Sequence, residues 1–512
     1  MEISSWLILS LLCSVAVSLL SQIINNQRRK LPPGPKPWPI IGNLNLLGSI
    51  PHQSLHHLSR KYGEIMLLKF GKFPVVIASS PEMARQFLKV HDAVFASRPA
   101  LASGKHICFN YSDVAFAPYG PYWREARKIF TSEIFNTKKL DYFEQIRIEE
   151  RRRFLSRLQS LSGKPIVLRD HLSRLTLSTI CRMVLSTDKY FTESEEKSIV
   201  DMNELREMIK EWFLLSGAFN IGDWIPWLSS LDLQGYVKRM KIFREKMDRF
   251  FDYVIDDHIA RREAAGNDYE KKNFVDVLLQ IAEDGTDKLE VELTRDCVKA
   301  LIMDLLLGGT DTSPTTVEWA IYEIMKQPCI MKKAKDELER VIGRKRWVEE
   351  KDFTNHELPY IDAIIMETFR LHPLSTLLAP HHAIEDCNVA GYDISKGTTV
   401  IINTWSLGRD PNSWDEAEEF LPERFIGKEI DMLGNNFALL PFGSGRRRCA
   451  GYNLGLKIVR TTLANLLHGF EMKLVEGMKP QDICMDEVYG LTTSPKHHLS
   501  IIMEPALSIH LY

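Results

Sequence analysis

The sequence is poor in cysteine: eight in 512 residues (13, 108, 181, 297, 329, 387, 449 and 484), with no CxxC pair and no regular framework. That scarcity argues against a disulfide scaffold and points to a reducing compartment. Charge of one sign is missing too. A net charge of -2 gives no overall pull toward nucleic acid. No internal repeat or low-complexity domain interrupts the chain, and its mixed charges with 45% hydrophobic residues are those of a globular protein with ample core. The length would hold two or three average domains. The motifs of one site nevertheless run from Trp123 to Gly451, so a single large unit is expected.

One stretch, Ser4 to Ile24, has no charge at all. As a helix it would span roughly 30 Å, the thickness of a bilayer core. A cleaved signal peptide is the rival, but the first residues hold Glu2 and no basic side chain, and no small-x-small site follows. Arg28, Arg29 and Lys30 come next, so the positive-inside rule leaves the body on the cytosolic side of a single-pass anchor, most simply in the endoplasmic reticulum membrane. Leu31 to Pro39 is too rich in proline for a helix and is expected to be a stiff hinge. The expected division is 1–30 anchor and basic stop, 31–39 hinge, 40–512 body.

Within the body, Glu64 to Ala78 alternates like a hairpin around Gly71-Lys-Phe-Pro74. Helical spacing then dominates: 81–90, 122–135, 139–161, 171–185, 193–216, 234–262 and 290–326. Lys164 to Arg169 reads as a short strand and Glu263 to Asn273 as a surface loop.

The most informative window is Phe442-Gly-Ser-Gly-Arg-Arg-Arg-Cys-Ala-Gly451. A lone cysteine is usually a small buried apolar residue, and an arginine triplet a solvated patch. Here Gly443, Gly445 and Gly451 allow positive φ and close backbone approach, and Leu454, Ile458, Val459, Leu463, Leu466 and Leu467 follow at helical spacing. Cys449 is therefore expected at a helix N-terminus, where the dipole, free N–H groups and neighbouring arginines lower its pKa. Phe-x-x-Gly-x-Arg-x-Cys-x-Gly is similar to the haem-binding loop of the cytochrome P-450 family. The resemblance implies a mainly α fold: a helix-rich catalytic domain with a small β-rich subdomain, preceded by the transmembrane helix. It implies haem b (iron protoporphyrin IX), with Cys449 as axial iron ligand, Arg447 on a propionate and Phe442 packed by the sulfur.

Other segments carry the same resemblance. Trp123 and Arg127 stand four apart on one helical face, as in the helix that clamps haem, where indole N–H and guanidinium grip one propionate. Gly308-Gly-Thr-Asp-Thr-Ser313 sits inside an apolar helix, where each glycine costs about 1 kcal/mol relative to alanine. Pro314 lacks the N–H that would bond the Thr310 carbonyl, so the helix is expected to open there. By itself this is a structural kink. By resemblance it is the oxygen-activation signature, with Asp311 and Thr312 relaying protons. Glu367-Thr-Phe-Arg370 and Pro422-Glu-Arg-Phe425 look like the family's ion cluster of Glu367, Arg370 and Arg424, a structural element. His381 stands where many relatives carry arginine and is a candidate propionate contact, though adjacent histidines are also ordinary loop residues.

The substrate cavity implied by the resemblance draws on 101–116, 212–219, 301–312, 374–379 and 488–492, mostly apolar stretches that fit a hydrophobic small molecule. Asp304 is the exception, placed to meet a substrate hydroxyl or solvent. Ala117-Pro-Tyr-Gly-Pro-Tyr-Trp-Arg124 and the motifs above are most similar to plant microsomal members acting on specialised metabolites such as terpenoids, flavonoids and other phenolics. The expected reaction inserts one atom of dioxygen, with electrons from NADPH delivered by an NADPH-cytochrome reductase. NADPH is not bound by this chain, and the reductase docks on the thiolate side near Arg446 and Lys457. An oxidative carbon-carbon lyase, an isomerase or a dehydratase using the same iron is the alternative. A non-catalytic haem protein is the reading from another class.

Overall fold

The computed structural model describes residues 29–186, 202–266, 273–284, 290–354 and 356–512. The anchor expected at 4–24 lies outside them. Among the described residues no helix is long and apolar enough to cross a membrane.

Two consecutive helices, Arg295–Thr310 and Thr312–Lys326, form the axis of the molecule. The first starts five residues later than its spacing suggests, because the Thr294 side chain caps it by accepting the Cys297 N–H at 3.3 Å. Expected as one run, the segment instead breaks at Asp311 (φ -102°, ψ -29°). Pro314 accounts for the break, since it leaves the Thr310 carbonyl without its helical donor. The Thr176 hydroxyl supplies one instead, at 2.7 Å. This break is also the seam between two apolar cores. Leu301, Ile302 and Leu306 pack with helices Leu168–Leu185 and Tyr236–Ala265, whereas Val317, Ile321 and Ile324 pack with Pro328–Val341, Pro359–Leu371 and Tyr452–Gly469.

The β structure is small and peripheral. The expected hairpin pairs Ile65–Phe70 with Phe73–Ala78 (Ile65 opposite Ala78) and is extended by Thr399–Ile402 in parallel, to which His381–His382 adds antiparallel. A second sheet orders Pro165–Val167, Ser500–Pro505 and Phe470–Leu474. The strand expected over Lys164 to Arg169 is thus shorter, because Leu168 already begins a helix. Helix 139–161 divides at Phe143 into Thr137–Tyr142 and Glu144–Ser160. The loop expected at Glu263 is helical through Ala265, with 267–272 outside the described residues.

The proline-rich segment runs extended along the sheet. Pro33 O accepts the Leu67 N–H at 2.8 Å, and a Cβ on Gly34 would sit 1.9 Å from Leu67 O, so only glycine permits this approach. Lys30 and Asp393 exchange two hydrogen bonds, at 2.8 and 2.9 Å.

Candidate active site

The loop before helix Tyr452–Gly469 is closed by its own backbone: Cys449 N–H donates to Phe442 O at 2.9 Å. Gly443 and Gly445 take positive φ (68° and 67°), and a Cβ on Gly445 would lie 2.3 Å from Leu88 O. Gly451 needs no such freedom. Its φ is -86°, and it caps the helix, so Cys449 stands just ahead of the first turn rather than in it. Arg446 anchors the loop from outside, with Nη1 2.6 Å from Asp92. Phe442 meets Phe369 edge-on, ring centroids 5.5 Å apart.

That contact ties the loop to the ion cluster. Glu367 is fully buried and accepts from Arg370 Nε and Nη2 (2.6 and 2.8 Å), Arg424 Nε (3.0 Å) and the Leu421 N–H (2.7 Å). Arg370 uses its remaining donors on the carbonyls of Gly408, Ala417 and Glu419. Every charge in the cluster is satisfied, as burial requires.

Cys449 opens onto a cavity of about 390 Å³ that is also lined by Trp123, Arg127, Thr312, His381, Phe442 and Arg447. Seven of the eight expected site residues thus meet at one place. Asp311 is the exception. It pairs with Arg169 and accepts from Thr492 Oγ1 at 3.0 Å, and it reaches the cavity only through Thr492, which lines it. The Thr312 hydroxyl donates to Gly308 O at 3.1 Å. Gly308 leaves the space above open, with no atom within 4 Å of where a Cβ would be. Each of the five stretches expected to line a substrate pocket contributes, as do Ile180 and Phe274, whose helical spacing looks like ordinary core.

The expected low pKa of Cys449 is not found in this pocket. Burial pushes the thiol up, against the Gly451 N–H and the charges of Arg127 and Arg448. The sulfur has accessible surface, but that surface faces the cavity, and protein encloses it beyond. Being ahead of the helix weakens the dipole that would have opposed desolvation, since the effect is confined to the first turn. A bound cation would reverse the balance, because coordination deprotonates a thiol outright.

Around the cavity rim the sequence reading missed Arg98, a solitary arginine between Ser97 and Pro99 with no spacing to mark it. Its guanidinium donates to the carbonyls of Ala115 (3.0 Å), Ala379 (2.5 Å) and Pro380 (2.9 Å). Arg447 likewise donates to Ala96, Val114 and Ala117 O (2.6, 3.1 and 2.5 Å). The Arg127 guanidinium has no hydrogen-bond partner among the described residues. Burial pulls Arg98 down to about 10 and Arg447 to about 8, while Asp113 pulls both the other way. The Trp123 N–H is taken by Val114 O at 3.0 Å. His381, pushed down to about 3 by burial and then by Arg98, is neutral, so its Nδ1–H donates to Phe95 O at 2.9 Å and Nε2 is left as a lone pair.

Three half-buried arginines, two held by carbonyls and Arg127 by no side-chain hydrogen bond, call for an anionic ligand. Its body must be apolar to match the walls, and a metal in it would meet Cys449. Haem b, a flat macrocycle with two carboxylates and an iron, has that chemistry, and the residues present fit it.

Comparison with known proteins gives the same answer. The family model described as Cytochrome P450 matches residues 32–501. Trimethyltridecatetraene synthase of Zea mays is 42% identical, covering 97% of this chain and 93% of that protein. A flavonoid 3'-monooxygenase of Petunia hybrida is 40% identical over 100% of both chains. The fold is similar to a zebra fish cytochrome P450 solved with abiraterone, with a TM-score of 0.73 and 24% identity over 89% of this chain and 99% of that one. Together with a cysteine facing a cation-rimmed apolar cavity, these matches mean that the chain belongs to the cytochrome P450 family and is a haem-thiolate monooxygenase.

Proposed function

We propose that Cys449 is the axial ligand of the haem iron, that Arg98, Arg127, Arg447 and Trp123 hold its propionates, and that the enzyme oxidises a hydrophobic plant specialised metabolite, terpenoid or phenolic. One observation carries this reading: the sulfur, the arginines and Thr312 share a single, largely apolar cavity. Bound there, haem supplies the activation of dioxygen, one atom going to substrate and the other to water. The chain's part is to exclude water with apolar walls and to hold protons near Thr312. In this arrangement the Thr312 hydroxyl donates to Gly308 O, and the path from Asp311 runs through the Thr492 hydroxyl. Neutral His381 offers a carboxylate no donor at Nε2 until it takes a second proton, so Arg98 is the stronger propionate partner on that side.

An oxidative carbon-carbon lyase is the second reading. It is favoured by the relative at 42% identity, which is named for a hydrocarbon product and not for a hydroxylation. The flavonoid monooxygenase at 40% supports the first.

Electrons come from NADPH through a reductase docked on the Cys449 side. Arg446 is exposed there, while Lys457 is engaged by Glu350 at 2.6 Å. The body sits at the endoplasmic reticulum membrane. Support comes from an apolar side of the molecule, where Trp38 (64% exposed) and Ile40 adjoin Gly71, and Gly71 abuts the Trp224 segment that carries exposed Trp227 (66%) and Leu231. Reconstituting the full chain with reductase and NADPH against a panel of terpenoids and flavonoids tests the substrate class. A reduced carbon monoxide difference spectrum tests the ligand: a thiolate-type band is expected, and its presence in Cys449→Ala would overturn the assignment.

A further inference from the structure

The segment 101–116 forms the roof between the main cavity and a smaller one of about 60 Å³ beside it. Val114 and Ala115 face the first, Leu101 and Phe116 the second, and Leu378, Ala379 and Leu491 line both. This roof has an unfavourable backbone. Phe109, Asn110 and Tyr111 are three consecutive non-glycine residues with positive φ (49°, 55° and 63°), a left-handed turn that costs roughly 1–2 kcal/mol per residue. A strained segment stays in place only if its surroundings hold it.

Two carboxyl groups from other elements do so. At the start, Asp223 Oδ1 accepts the Ala102 N–H at 2.8 Å. At the end, Asp304 Oδ2, from the helix that carries Gly308 and Thr312, accepts the Val114 N–H at 2.6 Å. The Val114 carbonyl, on the other side of the same residue, takes its donors from Trp123 and Arg447. Those two are the groups that haem carboxylates would compete for. In the loaded enzyme the hold on the carbonyl weakens, and the bond from Asp304 becomes the tie that keeps Val114 over the site.

We infer that Asp304 is a positioning residue: by pinning Val114, it fixes the roof of the substrate cavity and with it the size of molecule the oxidising centre admits. This inference rests on the haem reading above. Burial and the nearby Asp113 push the Asp304 carboxyl well above the usual carboxylate range. Asp113 Oδ2 accepts the Phe116 N–H at 3.0 Å, a turn within the roof itself, so the attachment of this end to the helix below is the bond from Val114 to Asp304.

The test uses the full-length holoenzyme and two iron-binding probes, imidazole and the bulky azole clotrimazole, followed by the shift of the haem absorption band. Asp304→Ala should leave imidazole affinity within about twofold and raise the clotrimazole association rate at least tenfold. Asp304→Asn keeps an oxygen for the Val114 N–H, so it should behave as wild type. Trypsin cleavage after Lys105 should be accelerated in the Ala variant alone. If Asp304→Ala does not load haem, Asp223→Ala frees the other end of the roof and should give the same pattern. Equal shifts for both azoles, or an Asn variant that behaves like Ala, would overturn the inference. Loss of the thiolate-type spectrum in the wild-type protein would instead overturn the haem reading.

Discussion

The hydroxyl of Thr176 donates to the carbonyl oxygen of Thr310 at 2.7 Å, replacing the helical bond that Pro314 cannot make. A break in the central helix is thereby made affordable, and it lies where Asp311 and Thr312 leave the regular spiral. Thr176→Val should cost about 1–3 kcal/mol, the penalty for a buried polar group left unpaired. Pro314→Ala restores the N–H, so the double variant should lose less than the sum of the two singles in thermal unfolding of the full chain.

Glu367 is the hub of the buried ion cluster, and removing it strands Arg370 and Arg424. Glu367→Ala should destabilise by about 3–5 kcal/mol and reduce haem-loaded yield, because Phe369 on the same helix supports Phe442. Glu367→Gln keeps one of the two acceptor oxygens and should retain more holoprotein than the Ala variant, measured by the carbon monoxide spectrum per milligram.

For the proton path, Thr312→Ala should consume NADPH without matching product. Thr492→Val should do the same to a lesser degree, since Asp311 reaches the cavity through the Thr492 hydroxyl. The ratio of product to NADPH oxidised is the readout, and unchanged coupling in both would remove the relay from this part of the cavity.

Acid sensitivity should appear away from the site. Burial, then Arg60, pulls His56 from 6.5 down to about 4, and its Nδ1 meets Ser406 Oγ at 3.0 Å. Its folded pKa lies below the unfolded one, so the unfolded chain takes up the proton first. The contribution is present above about pH 6.5 and is lost as pH falls toward 4, by up to about 3 kcal/mol. His56→Gln should flatten the fall in melting temperature across that window.

Several of these features could be read from sequence, and the reasons are local. Gly443 and Gly445, Pro314, and the three-residue spacing of Glu367 and Arg370 each act over one turn of chain. Their consequences, positive φ, a broken helix and a facing ion pair, follow wherever the segment is placed. Arg98 was invisible because nothing within its neighbourhood marks it. It matters only because the carbonyls of Ala115, Ala379 and Pro380 come together around it. The acidity of Cys449 turns on the same distinction: the glycines and arginines beside it were legible, but the desolvation that opposes them, and the cation that would reverse it, belong to the enclosed cavity.

The sequence by itself determined which backbone turns and breaks form and which side chain can serve as a soft metal ligand, because these depend on covalent structure and near neighbours. Only the tertiary structure decided that Asp311 faces Arg169 and Thr492 while Thr312 faces the cavity, and that Asp304 holds Val114. These are contacts between residues far apart in the chain, and their energies depend on burial and on hydrogen-bond partners that only packing brings within reach.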